Sequence, residues 1–146
     1  MLTTDQKGAI AELAIAHAAA ELGVGVFKPL TAGERYDLIF DLRSQLVRVQ
    51  CKSAGRRGEV VVVRCRSCRR VRGGGQIQRP YTAAQVDAIA AYCVELGRAY
   101  FIPLDEITRR SSIQLRLSPA RNQQRAGVLW ADDFAFEARL TALRGP

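Results

Sequence analysis

Three polar residues in the segment 35–53 carry side chains that could act together on a phosphate. The segment reads as two strands joined by a short turn, with Asp37 at the head of the first strand and Gln50 and Lys52 two residues apart on the second. A carboxylate, a second oxygen ligand and a lysine suit metal-assisted phosphodiester cleavage, because Mg²⁺ takes oxygen ligands and lowers the pKa of an attacking water. The alternative is that Gln50 and Lys52 form a solvated face of an ordinary strand.

Convergence of these side chains depends on how the two strands pair. Side chains alternate along a strand, so Gln50 and Lys52 share one face while Cys51 points to the other, apolar face. A two-residue turn at 44–45 would pair Asp37 with Lys52. A slip of one residue would turn Asp37 to the wrong face, and a bulge could correct the register. The sequence therefore allows the three side chains to converge and leaves the point open.

Two further acids and the single histidine need separate interpretations. Glu12 is the only acid in the stretch 8–20, within a predicted helix that is apolar on most sides. A lone acid among apolar neighbours favours a role at the site over a solvated position. Asp41 belongs to the same hairpin as Asp37 but lies near the turn, so it is expected to face solvent. His17 is expected to be a packing residue of its helix.

The elements that would position these residues follow from capping signals and apolar patterns. Thr3 and Gln6 fit a capping box, which predicts a helix to about Leu22 with Gly23 as its stop. Strands are predicted at 24–30, 36–42, 45–52, 58–67, 98–104 and 112–117.

The rest of the chain is predicted to be loop and helix. The segment 68–81 is rich in glycine and arginine, which is typical of a loop. A second helix is predicted over 82–97, from a capping box of Thr82 with Gln85 and a stop at Gly97, and a third over 131–144. Asp87 and Tyr92, in the second of these helices, are interpreted as structural. The order predicts an α/β fold, a mixed central β-sheet flanked by helices, as a single domain over 1–146.

Size and charge narrow the class of protein. The chain has 146 residues, a formal net charge of +8 and 48% hydrophobic residues, which fits a globular domain that meets a polyanion. Two basic regions, near 64–80 and 109–125, are candidates for phosphate contacts. The candidate DNA-binding residues are Arg64, Arg66, Arg69, Arg70, Arg72, Arg79, Arg109, Arg110, Arg116, Arg121 and Arg125.

The cysteines bear on whether the protein binds zinc, and the start of the chain bears on its cellular compartment. Cys65 and Cys68 have the spacing of half a zinc site, but a structural site needs four ligands, and the remaining cysteines and His17 lack that spacing. No zinc is expected. No secretory signal and no segment long and apolar enough to span a membrane are recognised, so a cytoplasmic protein with reduced cysteines is expected.

Several ordered motifs resemble one superfamily of nucleases. Asp37 followed by Gln50-Cys51-Lys52 resembles the PD-(D/E)XK motif, with glutamine in the acidic slot, and the "KGAIAE" helix with Glu12 resembles its upstream acidic helix. The runs "YDLIFD", "VQCKS", "VDAIAAY" and "YFIPL" are similar to homing endonucleases of group I introns in cyanobacteria and their bacterial relatives, over residues 7–104. Those relatives are similar in carrying glutamine at this position.

The resemblance implies a restriction-endonuclease-like core and a defined chemistry. It implies Mg²⁺, with Mn²⁺ as a substitute, held by Asp37, Gln50, Glu12 and the backbone carbonyl of Cys51, while Lys52 helps to activate water. The expected activity is cleavage of double-stranded DNA at a specific site of the homing type. Because one small chain offers one site, cutting both strands implies self-association as a dimer or tetramer.

Two other functions remain open at this point. A Holliday-junction resolvase or a repair nuclease on the same fold would recognise branched DNA by its shape. A DNA-binding module that has lost cleavage is also compatible, because Gln50 is neutral and brings no charge to a metal.

Overall fold

The computed structural model of the chain describes residues 1–70, 72–107, 110–119 and 127–145, with the backbone alone for 67–70 and 76–78. The helices are α1 (Thr4–Glu21) and α2 (Phe136–Arg144), with short 3₁₀ turns at Leu104–Glu106 and Ala131–Phe134. The strands are β1 (Gly25–Phe27), β2 (Leu38–Asp41), β3 (Leu46–Arg57), β4 (Val60–Arg64), β5 (Arg66–Arg70), β6 (Gln76–Pro80), β7 (Ala88–Cys93), β8 (Arg98–Pro103), β9 (Ser112–Arg116) and β10 (Leu129–Trp130).

Strand β3 pairs with three other strands, β2, β4 and β7, and so connects the parts of the main sheet. Its first half pairs with β2 on one side, and β7 pairs with it on the other side, over Val49–Ala54. Its far end pairs with β4, which leads on to β9 and β10. The pairs β3–β7 and β9–β10 are parallel and the others antiparallel, so the sheet is mixed, as predicted.

The sheet has an apolar core on each face. Both helices lie on one face, where Ile15 and Leu140 pack against strand residues such as Phe101. The ring of Phe136 lies edge-on to Phe40 and Phe101, with centroid distances of 6.0 and 6.2 Å. On the opposite face, the part of the sheet that contains β4 and β9 packs over β7 and β8, with Val61 and Ile113 among the buried residues. The helices therefore flank the sheet from one side only.

Helix α1 follows its sequence signals. The Thr3 hydroxyl accepts a hydrogen bond from the Gln6 N–H at 3.2 Å, and the Gln6 side chain accepts one from the Thr3 N–H at 2.8 Å, which confirms the capping box. The helix ends before Gly23, whose φ of 76° is the left-handed conformation that suits glycine. Within the described ranges, both helices fall short of what is needed to cross a lipid bilayer.

The helix predicted over 82–97 is wrong. Thr82 and Gln85 do interact, with 3.2 Å between their side-chain oxygens, but they close only a turn. The chain then enters β7, which is buried almost throughout between β3 and β8. Contacts on both sides of this strand override the helix propensity of its alanines. Gly97 does not end a helix. It has φ of 61° and lies in the turn between β7 and β8.

The loop predicted over 68–81 is also wrong. Its backbone forms the hairpin β5–β6, in which Arg66 pairs with Pro80 and Arg70 with Gln76. The glycines mark its turn, since Gly73 and Gly74 have φ of 102° and 89°. The strand predicted over 58–67 is divided between β4 and the start of β5. Strand β3 continues past its predicted end to Arg57, and β10 was not predicted.

An ion pair fixes the start of β7 against β3. The guanidinium of Arg48 donates from Nε to Asp87 Oδ2 and from an Nη to Oδ1, both at 3.0 Å. Its other bonds go to the carbonyls of Ala84 and Ala83, at 2.7 and 2.9 Å. The hydrogen bond from Arg48 holds the pKa of Asp87 below its usual range. The structure thus gives Asp87 the structural role that was expected, in a turn and not in a helix.

We expect Asp87→Asn to lower the free energy of unfolding by about 1–2 kcal/mol at pH 7, because charged hydrogen bonds to Arg48 are lost. The pKa of Asp87 is lowered in the fold, so the pair stabilises above the ordinary value of 3.8 and its contribution is lost as the pH falls through the folded-state pKa. Urea unfolding at several pH values measures this. The effect of the substitution should shrink below pH 3.8.

The matched control is the surface pair of Arg56 with Glu59, at 3.1 Å and with exposed fractions of 38% and 52%. Glu59→Gln should cost less than about 0.5 kcal/mol, since exposed pairs contribute little. Equal losses from the two substitutions would show that the Arg48–Asp87 pair does not anchor β7.

Candidate active site

The hairpin of β2 and β3 has a different turn from the one expected. Leu42 N–H donates to the Gln45 carbonyl at 2.9 Å, so the turn lies at 43–44 and the pairing of Asp37 with Lys52 is wrong. Arg43 adopts φ of 70°, and its N–H donates to Asp41 Oδ1 at 2.8 Å. The expectation that Asp41 simply faces solvent is therefore incomplete, because its carboxylate stabilises the turn.

Asp37 reaches the site from the position just before β2, because the register differs by two residues and so leaves Asp37 on the predicted face. Leu38 pairs with Val49, and the Asp37 N–H also donates to the Val49 carbonyl, at 2.9 Å. Asp37 itself lies immediately before β2. The Asp37 carboxylate then accepts a hydrogen bond from the Cys51 N–H at 2.8 Å. It thus lies against the backbone of β3 at Cys51, the residue between Gln50 and Lys52 in sequence.

The surroundings of Asp37 disfavour its charged form. Burial raises the pKa of this carboxyl above 3.8, and the charge of Glu12 raises it further. The Cys51 N–H and the ammonium groups of Lys52 and Lys28 act in the opposite direction. The net result is a raised pKa, as expected for a carboxylate held close to a second acid.

Glu12 reaches the same site from α1. Its carboxylate forms an ion pair with Lys28 Nζ at 2.5 Å, and 27% of its side chain is exposed, against 69% for Lys28. Burial, together with the charges of Asp37 and Glu12, raises the pKa of the Cys51 thiol, so this cysteine is a neutral thiol at neutral pH. The structure therefore brings Glu12 together with Asp37 and the backbone of β3.

Gln50 and the Cys51 carbonyl lie side by side. The Gln50 amide donates from Nε2 to the Cys51 oxygen at 3.5 Å, a long contact between partly buried groups. The carbonyl oxygen of the Gln50 side chain is the atom that could ligate a metal. The two predicted neutral oxygen donors thus lie next to each other on β3.

Lys52 extends from β3 towards the base of the hairpin β5–β6. Its Nζ donates to the Arg66 carbonyl at 3.3 Å and lies 5.2 Å from the centroid of the Tyr81 ring. It is also close enough to Asp37 to lower the pKa of that carboxyl. The ammonium is therefore held between the carboxylate and the basic hairpin.

The donor set fits a hard divalent cation. Among the described residues, no three side chains of histidine, cysteine, aspartate or glutamate are grouped to hold a metal. The candidate metal ligands are therefore two carboxylates, one amide oxygen and one backbone carbonyl. Mg²⁺ is commonly held by one or two carboxylates together with waters. One of these acids, Glu12, already pairs with the ammonium of Lys28.

The predicted basic residues are only partly described. Arg64, Arg72, Arg79 and Arg110 are exposed, whereas Arg66 and Arg116 are partly buried. Arg116 donates from Nε to the Ser118 carbonyl at 3.1 Å. The side chains of Arg69 and Arg70, and the residues Arg109, Arg121 and Arg125, lie outside what the structure describes.

Other sequence candidates lie away from this site. His17 is not a packing residue, because it is largely exposed and its Nδ1 lies 3.1 Å from Glu21. Cys65 is buried, and burial raises the pKa of its thiol to about 11, which disfavours the thiolate that zinc requires. The Cys68 side chain is outside the described part, so the absence of zinc stays a prediction.

Three residues at the site were missed by sequence reasoning. Lys28 pairs with Glu12, and Arg35 and Tyr81 contact each other with 4.5 Å from the guanidinium carbon to the ring centroid. None of them belongs to a motif with fixed spacing. The one available signal was rarity, since the chain contains only three lysines, Lys7, Lys28 and Lys52.

Comparisons with known proteins find a family model and a solved structure that match most of the chain. The sequence model of the PD-(D/E)XK endonuclease family matches residues 2–137. A solved structure of a bacterial homing endonuclease, I-Ssp6803I, is similar to this chain with 30% identity and a TM-score of 0.75. The match covers 95% of this chain and 93% of that one. A search of curated proteins finds no match.

We expect Asp37→Asn to raise the free energy of unfolding at pH 7 in EDTA while DNA cleavage is lost. Asparagine removes the disfavoured charge and can still accept the hydrogen bond from Cys51. The pKa of Asp37 is raised in the fold, so its contribution to stability is present below 3.8 and is lost as the pH rises through the folded-state pKa. The advantage of asparagine should therefore vanish when unfolding is measured below pH 3.8.

Asp41→Asn, in the same hairpin, is the control and should change stability by less than about 0.5 kcal/mol, with cleavage retained. A less stable Asp37→Asn protein at pH 7 would contradict the described electrostatics. Cleavage that survives in that variant would mean that another acid does the work.

Proposed function

The chain belongs to the PD-(D/E)XK endonuclease family, and we propose on that basis that it hydrolyses phosphodiester bonds of double-stranded DNA with Mg²⁺ or Mn²⁺ as cofactor. The observation that carries the proposal is the position of the Asp37 carboxylate. It is held on the Cys51 N–H, beside Lys52 and close enough to Glu12 for its pKa to rise. A pair of acids with an adjacent ammonium is suited to a divalent cation and a phosphate.

Each residue of the site has a distinct proposed task. Asp37 and Glu12 provide the anionic ligands, and the oxygens of Gln50 and of the Cys51 backbone provide neutral ones. When bound, the metal ion would polarise the phosphate and lower the pKa of an attacking water. Because the hydrogen bond from Cys51 orients Asp37, the ligand is arranged before substrate arrives.

Lys52 is proposed to act on the water and on the developing charge. Its ammonium lies within electrostatic reach of Asp37 and is a compact donor that can hold a water in place. It also brings positive charge to the point where a phosphorane-like transition state gains negative charge. Gln50, being neutral, leaves that balance of charge to Asp37, Glu12 and Lys52.

The proposed substrate is duplex DNA that is cut at a specific long site. The formal net charge of +8 favours binding to a polyanion, and exposed arginines occur along the segment 64–80. The similarity to a homing endonuclease supports site-specific cleavage. The described residues place one set of catalytic side chains, so cutting both strands requires two or four chains to act together.

The first test concerns metal and substrate together. We expect no cleavage in EDTA and full recovery with Mg²⁺ or Mn²⁺, because the donors are oxygens. The substrates are a linear duplex that contains the DNA flanking the gene of this protein and a four-way junction of unrelated sequence. Cleavage products on a denaturing gel are the measurement.

Cutting of the junction alone would replace the proposed activity by that of a resolvase. Binding without cutting, whichever metal is added, would indicate an inactive DNA-binding module. Gln50→Glu keeps an oxygen ligand and adds a negative charge, so it should retain cleavage with a changed dependence on metal. Complete loss in this variant would mean that the neutral amide is itself required.

A second test separates catalysis from binding. Lys52→Ala is expected to reduce the single-turnover cleavage rate by about a hundredfold or more while the dissociation constant for DNA stays within about threefold. Arg72→Ala, in the exposed turn of the hairpin β5–β6, should do the opposite: weaker binding, a shallower dependence on salt and a nearly unchanged rate at saturation.

Both variants are compared at one fixed salt concentration, with Arg98→Ala as the control. Arg98 is exposed but lies at the turn end of β8, beside the helices, and outside both basic regions. If Lys52→Ala loses binding and cleavage in equal proportion, this face of β3 is a docking surface and not a catalytic one.

A further inference from the structure

We propose that Tyr81 is a positioning residue for Lys52 and that Arg35 anchors it, so that the base of the basic hairpin sets the position of the catalytic ammonium. This inference rests on the proposed function, because it gives Lys52 a task in cleavage. It adds to that function a physical connection between the arginine-bearing hairpin β5–β6 and the reacting groups.

Two contacts of Lys52 lie at the base of that hairpin. Its Nζ donates to the carbonyl of Arg66, the first residue of β5, at 3.3 Å. Arg66 pairs with Pro80, the last residue of β6, and Tyr81 follows directly. The ring of Tyr81 lies 5.2 Å from the same Nζ, within the range of a cation–π interaction. The first strand of the hairpin thus supplies a carbonyl, and the residue that follows its second strand supplies a ring.

Tyr81 is itself firmly held. Its exposed fraction is 8%, and it belongs to the apolar core that includes Ile89 and Ile102. The guanidinium of Arg35 lies 4.5 Å from the ring centroid. The ring is therefore in contact range of two cations, and it cannot leave without opening an apolar core.

Arg35 ties this ring to the chain around it. Its guanidinium donates to the carbonyls of Pro80 and Arg79, at 3.3 and 3.2 Å, and to Gln85 Oε1 at 3.1 Å. These bonds hold the end of β6 and the following turn. Arg35 also lies two residues before Asp37, so the same anchor fixes the segment that leads into the carboxylate.

A lysine needs such support more than most catalytic residues. Its four-carbon chain is flexible, and its ammonium is a point charge without a preferred direction. The carbonyl of Arg66 and the ring of Tyr81 restrict that freedom from two directions. Contacts of DNA with the arginines of the hairpin would stabilise its base, and hence the position of Lys52, at the moment when substrate is present.

The test compares Tyr81→Leu with Tyr81→Phe. Leucine keeps an apolar side chain but removes the ring, and we expect the single-turnover rate to fall about tenfold or more with the DNA dissociation constant within about threefold of the wild type. Phenylalanine keeps the ring and should restore most of the rate. In a Lys52→Ala background, Tyr81→Leu should cause no further loss, because the two residues act through one group.

A second measurement needs no cleavage. The chain has three lysines, so the side-chain NMR signals of Lys52 can be assigned against Lys7 and Lys28 alone. A cation above a ring experiences its ring current, and the ε-methylene signals of Lys52 should be shifted upfield. The shift should disappear in Tyr81→Leu and remain in Tyr81→Phe.

Phe134→Leu is the matched control. Phe134 is a buried ring of the same apolar core, with the Arg139 guanidinium 4.6 Å from its centroid, and no contact to Lys52 is seen in the described structure. This variant should have the same general effect on packing as Tyr81→Leu but should leave the Lys52 signals and the cleavage rate largely unchanged.

The outcomes separate this inference from the proposed function. If Lys52→Ala is inactive but Tyr81→Leu cuts at the wild-type rate, Tyr81 does not position Lys52. Multiplied losses in the double variant, or equal losses in Phe134→Leu, would also overturn the inference, because packing alone would then explain them. If Lys52→Ala itself cuts normally, the catalytic role proposed for Lys52 fails, and the NMR shift still decides whether Tyr81 holds the ammonium.

Discussion

The hydrogen bond from the Cys51 N–H to the Asp37 carboxylate is the contact on which the geometry of the site depends. Backbone pairing of β2 with β3 begins at Leu38, and just before it the side chain of Asp37 accepts a hydrogen bond from β3. The carboxylate is thus fixed by main chain and not by a rotamer preference alone. It is held in a place that raises its pKa, because burial and Glu12 both oppose its charge. Functional groups are commonly kept in such unfavourable places by a rigid surrounding structure.

Strand β3 explains why three long polar side chains share one strand face. Arg48 is used to attach the start of β7, through its bonds to Asp87 and to the preceding turn. Gln50 stays beside the Cys51 carbonyl, and Lys52 reaches the hairpin base. A solvated face would show none of these partners. The same strand therefore carries a residue of a structural ion pair and two candidate catalytic residues within five positions.

The sequence predictions were correct where the deciding contacts are local and wrong where those contacts join distant segments. The capping box of α1 is local, and it was predicted correctly down to Thr3 and Gln6. The segment 82–97 carries an equally good local signal for a helix, but pairing with β3 and β8 makes it a strand. That pairing is invisible in a local window, because Arg48 and Asp87 are 39 residues apart. The glycines of 73–75 were seen as loop residues, whereas they form only the turn of a hairpin.

The candidate site was predictable by residue type but not by contact. Asp37, Gln50, Lys52 and Glu12 were selected from charge and spacing, and the structure brings Glu12 and Lys52 within electrostatic reach of Asp37. The hydrogen bond from Cys51 that holds Asp37 in place has no sequence signature in the hairpin. Lys28, Arg35 and Tyr81 act through contacts between distant segments, so no periodic pattern could reveal them. Their discovery required the packed structure.

The parallel pairing of β3 with β7 also sets an order of events during synthesis of the chain. The edge of β3 that β7 covers stays open until the ribosome has released the intervening hairpin and the turn with Asp87. Non-local pairing of this kind is slow, because a long loop must close first. A nascent chain would therefore expose an apolar strand edge for much of its translation. Its arginine-rich middle, which emerges next, keeps that incomplete chain strongly cationic and so discourages association between copies.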